Sequence, residues 1–153
     1  MQHKPQKRHK ALQALSRDHH HGLLLSWKIR SGLSKNIALE RINVYVLWFF
    51  KTHLMPHFEL EEAHIFPILG SNNAFVKKAL EDHSRLKCFF TEIDKHSKTL
   101  SNIEEGLEQH IRFEERVLFP EIQKAATEEQ LIKIERIHQQ DSFEDNLDDE
   151  FWK

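Results

Sequence analysis

The stretch HFELEEAHIFP at residues 57–67 occurs a second time as HIRFEERVLFP at residues 110–120. Both copies follow the pattern H-x-x-x-E-E-x-x-[I/L]-F-P. On an α-helix, residues four positions apart lie about 40° apart around the axis and one turn along it. His57 and Glu61 can therefore offer a ring nitrogen and a carboxylate to one metal ion, and His110 and Glu114 form the same pair. The repeated pair predicts two bound metals, or one metal held from two sides.

A shorter motif precedes each copy. Asp18-His19 lies upstream of the first copy, and Asp82-His83 lies upstream of the second. Each half of the chain thus contributes one D-H and one H-x-x-x-E-E, which indicates two similar helix pairs with pseudo-twofold symmetry. We call residues up to 67 the first half and residues 73–120 the second half.

Helical periodicity runs through the whole chain, and no segment alternates as a strand would. The predicted helices span residues 6–30, 36–65, 74–97, 101–120 and 128–139. Asn36 and Ser101 are the expected caps of the second and fourth helices. Pro56 should kink or split the second helix near residues 53–55, and the Phe-Pro pairs at 66–67 and 119–120 should end helices. Short connections then predict an all-α fold, an up-down-up-down antiparallel four-helix bundle with a short extra C-terminal helix.

The length of 153 residues fits one domain. We assign residues 1–140 to the bundle and residues 141–153 to an acidic C-terminal tail. The chain begins with a basic stretch and ends with an acidic one, and both ends are expected to be frayed and solvated. A docking role for either end is the alternative.

The formal net charge is −2, so the composition favours neither nucleic acid nor a membrane surface as a partner. The longest apolar run, residues 44–50, is too short to span a bilayer. The basic start is not followed by an apolar run, so no signal peptide is expected. A single cysteine agrees with a reducing compartment. The sequence therefore predicts a cytoplasmic protein.

Helical spacing also predicts which histidines face the core. Residues 19–21 are all histidine and point about 100° apart, so at most one or two of them can face a common centre. His19 follows Leu12 and Leu15 by seven and four residues and so lies on an apolar stripe; His20 is the second choice. The same spacing places three further histidines on apolar stripes: His57, His83 and His110.

One inward polar set is thus predicted on each of four helices. The candidate metal ligands are His19, His57, Glu61, His83, His110 and Glu114. Unpaired carboxylates in an apolar core cost several kcal/mol each, and a metal ion would remove that cost. The alternative is a set of hydrogen-bonded core histidines with surface glutamates, but the repeated pair favours metal binding.

Two further histidines, His53 and His64, flank the first pair on roughly the same face. Their counterparts in the second copy are Gly106 and Val117, so they do not belong to the repeated pattern. They are candidates for an added ligand or for a hydrogen bond to a ligand.

The second glutamate of each copy, Glu62 and Glu115, points about 100° away from the candidate ligand before it. We expect these two side chains to be solvated or to hydrogen-bond a ligand. The remaining histidines are predicted to lie at the surface: His3, His9, His96 and His138.

These motifs, in this order over residues 12–120, resemble the hemerythrin-like, HHE cation-binding, family. The resemblance implies a four-helix bundle that holds a non-heme centre of two iron ions. Carried over by position, Glu61 and Glu114 would bridge the metals. The terminal ligands would be His19, His57, His83 and His110. Zinc or manganese would also suit imidazole and carboxylate donors.

Two departures separate the chain from the oxygen-carrying members. Those proteins have a second histidine four residues after the third-helix one, where this chain has Lys87. They also place an aspartate five residues after the fourth-helix histidine, whereas this chain has Glu114 at four and Glu115 at five. The sequence is closer to bacterial and regulatory hemerythrin-like domains. One ligand fewer implies an open coordination position at the metal. Lys87 could hydrogen-bond to an anion or water bound there, or it could extend into solvent.

The expected function is reversible binding of dioxygen, nitric oxide or iron by a sensor or storage module. One alternative is a di-iron enzyme: a peroxidase, a nitric oxide reductase or a repair protein for iron centres. Another alternative is a non-catalytic interaction protein in which the metal only stabilises the helix bundle. The expected partner is a small-molecule ligand such as dioxygen, nitric oxide or peroxide, and the sequence predicts no separate catalytic residue.

Overall fold

A computed structural model describes residues 7–94, 97–138 and 143–153 of the chain. The regular elements within these ranges are all helical, as predicted. The α-helices are α1 (Lys10–Ser34), α2 (Leu39–Phe49), α3 (Met55–Leu60), α4 (Ala74–Thr91), α5 (Ser97–Phe113), α6 (Phe119–Ala125) and α7 (Glu128–Ile137). No helix in these ranges combines the length and apolar character that crossing a bilayer requires.

Wider π-helical turns join several of these helices end to end. They span Phe50–Leu54, Glu61–Ile65 and Glu114–Leu118, and a 3₁₀ turn at Phe66–Ile68 ends the first half. Pro56 lies in the first turn of α3, where its missing N–H removes no helical hydrogen bond. The predicted kink or split near residues 53–55 takes the form of a π-helical turn at Phe50–Leu54, which interrupts the regular α-helix just before Pro56.

Pro120 behaves differently from the prediction that it ends the fourth helix. It lies in the first turn of α6, directly after the π-helical turn, and the helix continues to Ala125. The wide turn places the proline where no N–H donor is needed, so the predicted end at Pro120 is wrong.

The ends of α1 also differ from the prediction. The helix begins at Lys10 and is capped by His9, whereas Gln6, the predicted start, lies outside the described residues. It continues through Gly32 to Ser34, past the predicted end at residue 30. A Cβ atom at residue 32 would lie 2.8 Å from the Phe151 ring. Gly32 thus permits a close contact within the helix.

Other boundaries move by a few residues. Ala38, and not Asn36, precedes the first residue of α2, since Asn36 takes a left-handed conformation with φ of 56°. The third helix ends at Thr91, before the predicted residue 97, and α5 begins ahead of the expected cap Ser101. α7 begins at Glu128, and the side chain of Thr127 caps it. The predicted end of that helix at 139 lies outside the described residues.

Two apolar clusters fill the core, and a polar layer separates them along the helices. On α1, Leu12 and Leu15 belong to one cluster, Leu25 and Ile29 belong to the other, and His19 lies between them. The helices that carry the other predicted ligands cross the same two clusters. The fold therefore concentrates the inward polar groups in one layer of an otherwise apolar interior.

The acidic end of the chain packs on α1 and α2. Phe151 and Trp152 are only 1% and 8% exposed, and the Asp145 carboxylate accepts a 2.7 Å hydrogen bond from the Lys28 ammonium group. Arg41 binds Asp149 through two hydrogen bonds. The expectation of a frayed, solvated end is thus wrong for residues 143–153, because two buried aromatic rings and paired charges hold this segment.

Candidate metal centre

The six predicted ligands meet in the polar layer. They form two overlapping groups, one of His19, His57, Glu61 and Glu114, the other of His83, His110, Glu61 and Glu114. Within each group, one donor atom per residue lies within 4.8 Å of all the others, and every member is buried. Each group can hold a metal ion, and the two glutamates belong to both groups.

Helix geometry brings each glutamate to its histidine. His57 Nε2 lies 3.2 Å from Glu61 Oε1, and His110 Nε2 lies 3.0 Å from Glu114 Oε1, both as i, i+4 neighbours. Each of these glutamates begins a π-helical turn, so the two turns occupy equivalent positions in the repeat. Such turns are frequent at functional sites because they shift side chains relative to a regular helix.

The other two histidines cross between the halves. His83 Nε2 lies 3.2 Å from Glu61 Oε1, and His19 Nε2 lies 3.2 Å from Glu114 Oε1. Donor atoms that bind one cation at about 2.1 Å with bond angles near 90° are themselves about 3.0 Å apart. The spacing of nitrogen and oxygen atoms in the layer therefore suits a shared cation.

Several donor atoms in this layer have no hydrogen-bond partner of acceptable geometry. They are Nε2 of His57, His83 and His110, both carboxylate oxygens of Glu61, and Oε2 of Glu114. A buried polar atom without a partner costs free energy, and native proteins contain few of them. Six such atoms facing one another fit a metal-binding site.

Each histidine ring is fixed from behind by a carboxylate. The Nδ1 atoms of His57 and His110 lie 3.0 Å from Asp18 and 2.9 Å from Asp82, so the D-H motif of each half orients the next histidine of that half. This bond at Nδ1 leaves Nε2 free to face the centre, an arrangement common around histidine ligands.

The second glutamate of each copy supports the opposite half. Glu62 lies 2.8 Å from Nδ1 of His83, and Glu115 lies 3.1 Å from Nδ1 of His19. Of the two expectations for these glutamates, the hydrogen-bonded one is correct. The whole repeat, D-H and H-x-x-x-E-E, thus contributes to four carboxylate–imidazole pairs around one centre.

Burial sets the protonation of the two central glutamates. Burial and the negative charge of Glu114 raise the pKa of Glu61 to about 8. Burial opposes ionisation of Glu114 as well, but His110 and His19 hold its pKa well below the usual range. Burial disfavours the charged form of His110, yet Glu114 and Asp82 raise its pKa to about 10. Metal binding would therefore have to displace protons from this layer.

The remaining candidates lie away from the centre. His20 is exposed, and His53 contacts the rings of Trp48, Phe49 and Phe143. His64 is half-buried and belongs to neither group. Lys87 Nζ lies 3.6 Å from Glu62 Oε2 and is 36% exposed, so it supports Glu62 and does not replace a metal ligand.

His138 contradicts its predicted surface position. It is 7% exposed, and its Nε2 atom lies 2.7 Å from the same Asp18 oxygen that contacts His57. The sequence carries a signal for this burial, since Leu131 and Ile134 precede His138 by seven and four residues and are themselves buried. The spacing test that selected His19 would have selected His138 too.

Comparisons with protein-family models, curated proteins and solved structures found no match to this chain. The resemblance to hemerythrin-like proteins therefore rests on the motifs of the sequence.

Proposed function

We propose that this chain is a non-heme di-iron protein of hemerythrin type that reversibly binds a small ligand such as dioxygen or nitric oxide, as a sensor or storage module. The observation that carries this proposal is the buried layer of unpartnered imidazole nitrogens and carboxylate oxygens. Without a cation, the buried unpaired groups of this layer would lower the stability of the fold. The two overlapping groups could hold two metal ions.

The proposed architecture is an up-down-up-down four-helix bundle. Its members would be α1, the α2–α3 arm, α4 and the α5–α6 arm, with α7 as the short extra helix. The packing of α1 against α5 and of α4 against α5 supports this arrangement. Each arm then carries one H-x-x-x-E-E copy at its π-helical turn.

Iron is our choice of metal because of the resemblance and because imidazole and carboxylate donors suit it. Iron would supply electrons and open coordination positions for the ligand. In this role His19, His57, His83 and His110 would each hold one ion, and Glu61 and Glu114, which belong to both groups, would hold both. Apolar clusters lie on both sides of the layer along the helices.

The missing histidine of the oxygen-carrying members has a structural consequence. Lys87 is directed to Glu62, so each ion would have two histidines and share the two glutamates. Six-coordinate geometry would leave positions at both ions for water or an exogenous ligand.

The test is elemental analysis of the untagged protein, produced with added iron, together with an optical spectrum in air. We expect about two irons per chain, and His57→Ala should lower both the metal content and the melting temperature. The matched control is His20→Ala, since His20 is exposed and belongs to neither group. A protein without bound metal, or unchanged metal content in the His57→Ala variant, would contradict the proposal.

A further inference from the structure

Each half of the repeat carries a cavity at an equivalent place. The first, of about 350 Å³, is lined by Asp18 and His57 among others. The second, of about 230 Å³, is lined by their counterparts Asp82 and His110. The two cavities are therefore related by the same pseudo-symmetry as the metal ligands.

The two cavities are lined by residues of different chemical character. Four residues of the first are Gly22, Phe49, His53 and Pro56. The residues at the same positions of the second are Leu86, Asn102, Gly106 and Gln109. The first wall combines aromatic and aliphatic residues with several histidines, whereas amides and charged groups dominate the second.

The first cavity also reaches further into the molecule. It touches His19, His57, His110 and Glu114, so it opens onto the centre. Among the described residues that line the second cavity, His110 is the single candidate ligand. A buried leucine, Leu86, lines the second cavity where the first has glycine.

We propose that the first cavity binds a small apolar monocarboxylate, whose carboxylate reaches the metal held by His19 and His57. This inference rests on the proposed function, because the metal would bind the head group. It goes further by naming a second class of ligand, distinct from the diatomic gases of the proposed function, and the half of the centre that takes it.

The size of the cavity points to an organic ligand. Its volume is about 350 Å³. One water molecule occupies roughly 30 Å³ in the liquid, and pockets for small organic molecules measure about 300–1,000 Å³. A diatomic gas would leave most of this space empty.

The charges around the cavity point to an apolar body with an anionic head. Among the described lining residues, the carboxylates are Asp18 and Glu114, and no lysine or arginine is present. Asp18 already binds His57 and His138. Two divalent ions would bring four positive charges against two negative charges from Glu61 and Glu114. The excess positive charge would lie at the inner end of the cavity, where His19, His57, His110 and Glu114 line it, and would favour a carboxylate there.

The experiment uses iron-loaded protein whose metal content has been measured first. Benzoate is titrated by calorimetry, with benzamide as its neutral counterpart and acetate as the head group without the apolar body. We expect benzoate to bind at least about tenfold more tightly than either, a difference of about 1.4 kcal/mol. Metal-free protein should bind benzoate at least about tenfold more weakly.

A matched pair of variants locates the binding. Thr52 is exposed at the first cavity, and Glu105 is exposed at the equivalent place of the second. Thr52→Trp should narrow the first cavity and weaken benzoate binding at least about tenfold without changing the metal content. Glu105→Trp should leave benzoate binding unchanged.

The two proposals fail in different ways. Iron-loaded protein that does not bind benzoate, or binds benzoate and benzamide equally, contradicts the ligand proposal alone. Equal binding by metal-free protein, or by the Thr52→Trp variant, contradicts it as well. A chain that takes up no metal contradicts the proposed function and removes the ligand proposal with it.

Discussion

The two halves of the repeat present the same donors to the centre but hold them differently. In the second half, Asp82 accepts hydrogen bonds from Lys78 and Arg85 of its own helix. In the first half, the equivalent Asp18 binds His138, which lies 120 residues further along the chain. The residues that face the centre are the same in both halves, whereas the groups behind them differ.

The segment that follows the repeat explains this difference, because it packs on the first half. α7 packs against α1, Phe143 stacks on His21, and Asp145 binds Lys28 and Tyr45. The first half therefore gains an outer layer from residues beyond the repeat. Equivalent ligands can therefore have different hydrogen-bonding partners behind them when a further segment packs on one side of a symmetric site.

The largest effect should come from the residues that the two halves share. Glu61→Ala and Glu114→Ala should each reduce metal content from about two ions to nearly none, because each glutamate belongs to both groups. In metal-free protein, Glu61→Ala should cost little stability, because burial and the charge of Glu114 disfavour the Glu61 carboxylate. Glu114→Ala should destabilise the metal-free protein, because it leaves the buried His110 without its ion-pair partner. Elemental analysis and thermal unfolding with and without metal measure both effects.

Glu59, an exposed glutamate two residues before Glu61, provides the control. Glu59→Ala should change neither the metal content nor the stability. Retention of one ion in either of the buried variants would show that the glutamates are not shared between the two groups.

His138 offers a way to separate the halves. His138→Ala should weaken metal binding about tenfold at one of the two sites, because Asp18 loses the partner that fixes it against His57. Lys78→Ala should have a smaller effect at the other site, because Arg85 still holds Asp82. Two-site metal-binding isotherms distinguish these outcomes.

Equal weakening at both sites by His138→Ala would contradict the division of supports between the halves. His138→Gln is the conservative variant, since its amide can donate a hydrogen bond to Asp18. It should restore part of the lost affinity if His138 acts by positioning Asp18.

Much of the site could be predicted from sequence because its information is local. The histidines and glutamates of the centre repeat at helical spacing on apolar stripes, and a stripe is visible within a dozen residues. The all-helical fold and the split at Pro56 follow from equally local signals. Local signals do not show which carboxylate hydrogen-bonds to which histidine, because Glu62 and Glu115 contact histidines of the opposite half.

The failures share a physical cause. Phe151 and Trp152 follow an acidic stretch, and nothing next to them in sequence shows that they are buried against α1 and α2. The continuation through Pro120 depends on a π-helical turn whose widened hydrogen bonding the residue pattern does not reveal. Long-range packing and local departures from regular helix decide both features.

The smallest predicted effect concerns the cover of the first half. Burial disfavours the charge of Asp145, but hydrogen bonds from Lys28 and Tyr45 hold its pKa below the ordinary value of 3.8. The stabilisation is therefore complete well above pH 3.8 and is lost as the pH falls through the lower pKa of the folded protein. Asp145→Asn should remove about 1 kcal/mol at neutral pH, because the carboxylate is partly exposed and screened.

Thermal unfolding of metal-free protein between neutral and acidic pH measures this effect. The variant should show a smaller loss of stability on acidification than the natural chain, and the two curves should approach each other at low pH. Asp148→Asn, at an exposed position of the same segment, should follow the natural chain. A parallel offset between the Asp145→Asn and natural curves at every pH would mean that the side chain stabilises the segment by packing and not through its charge.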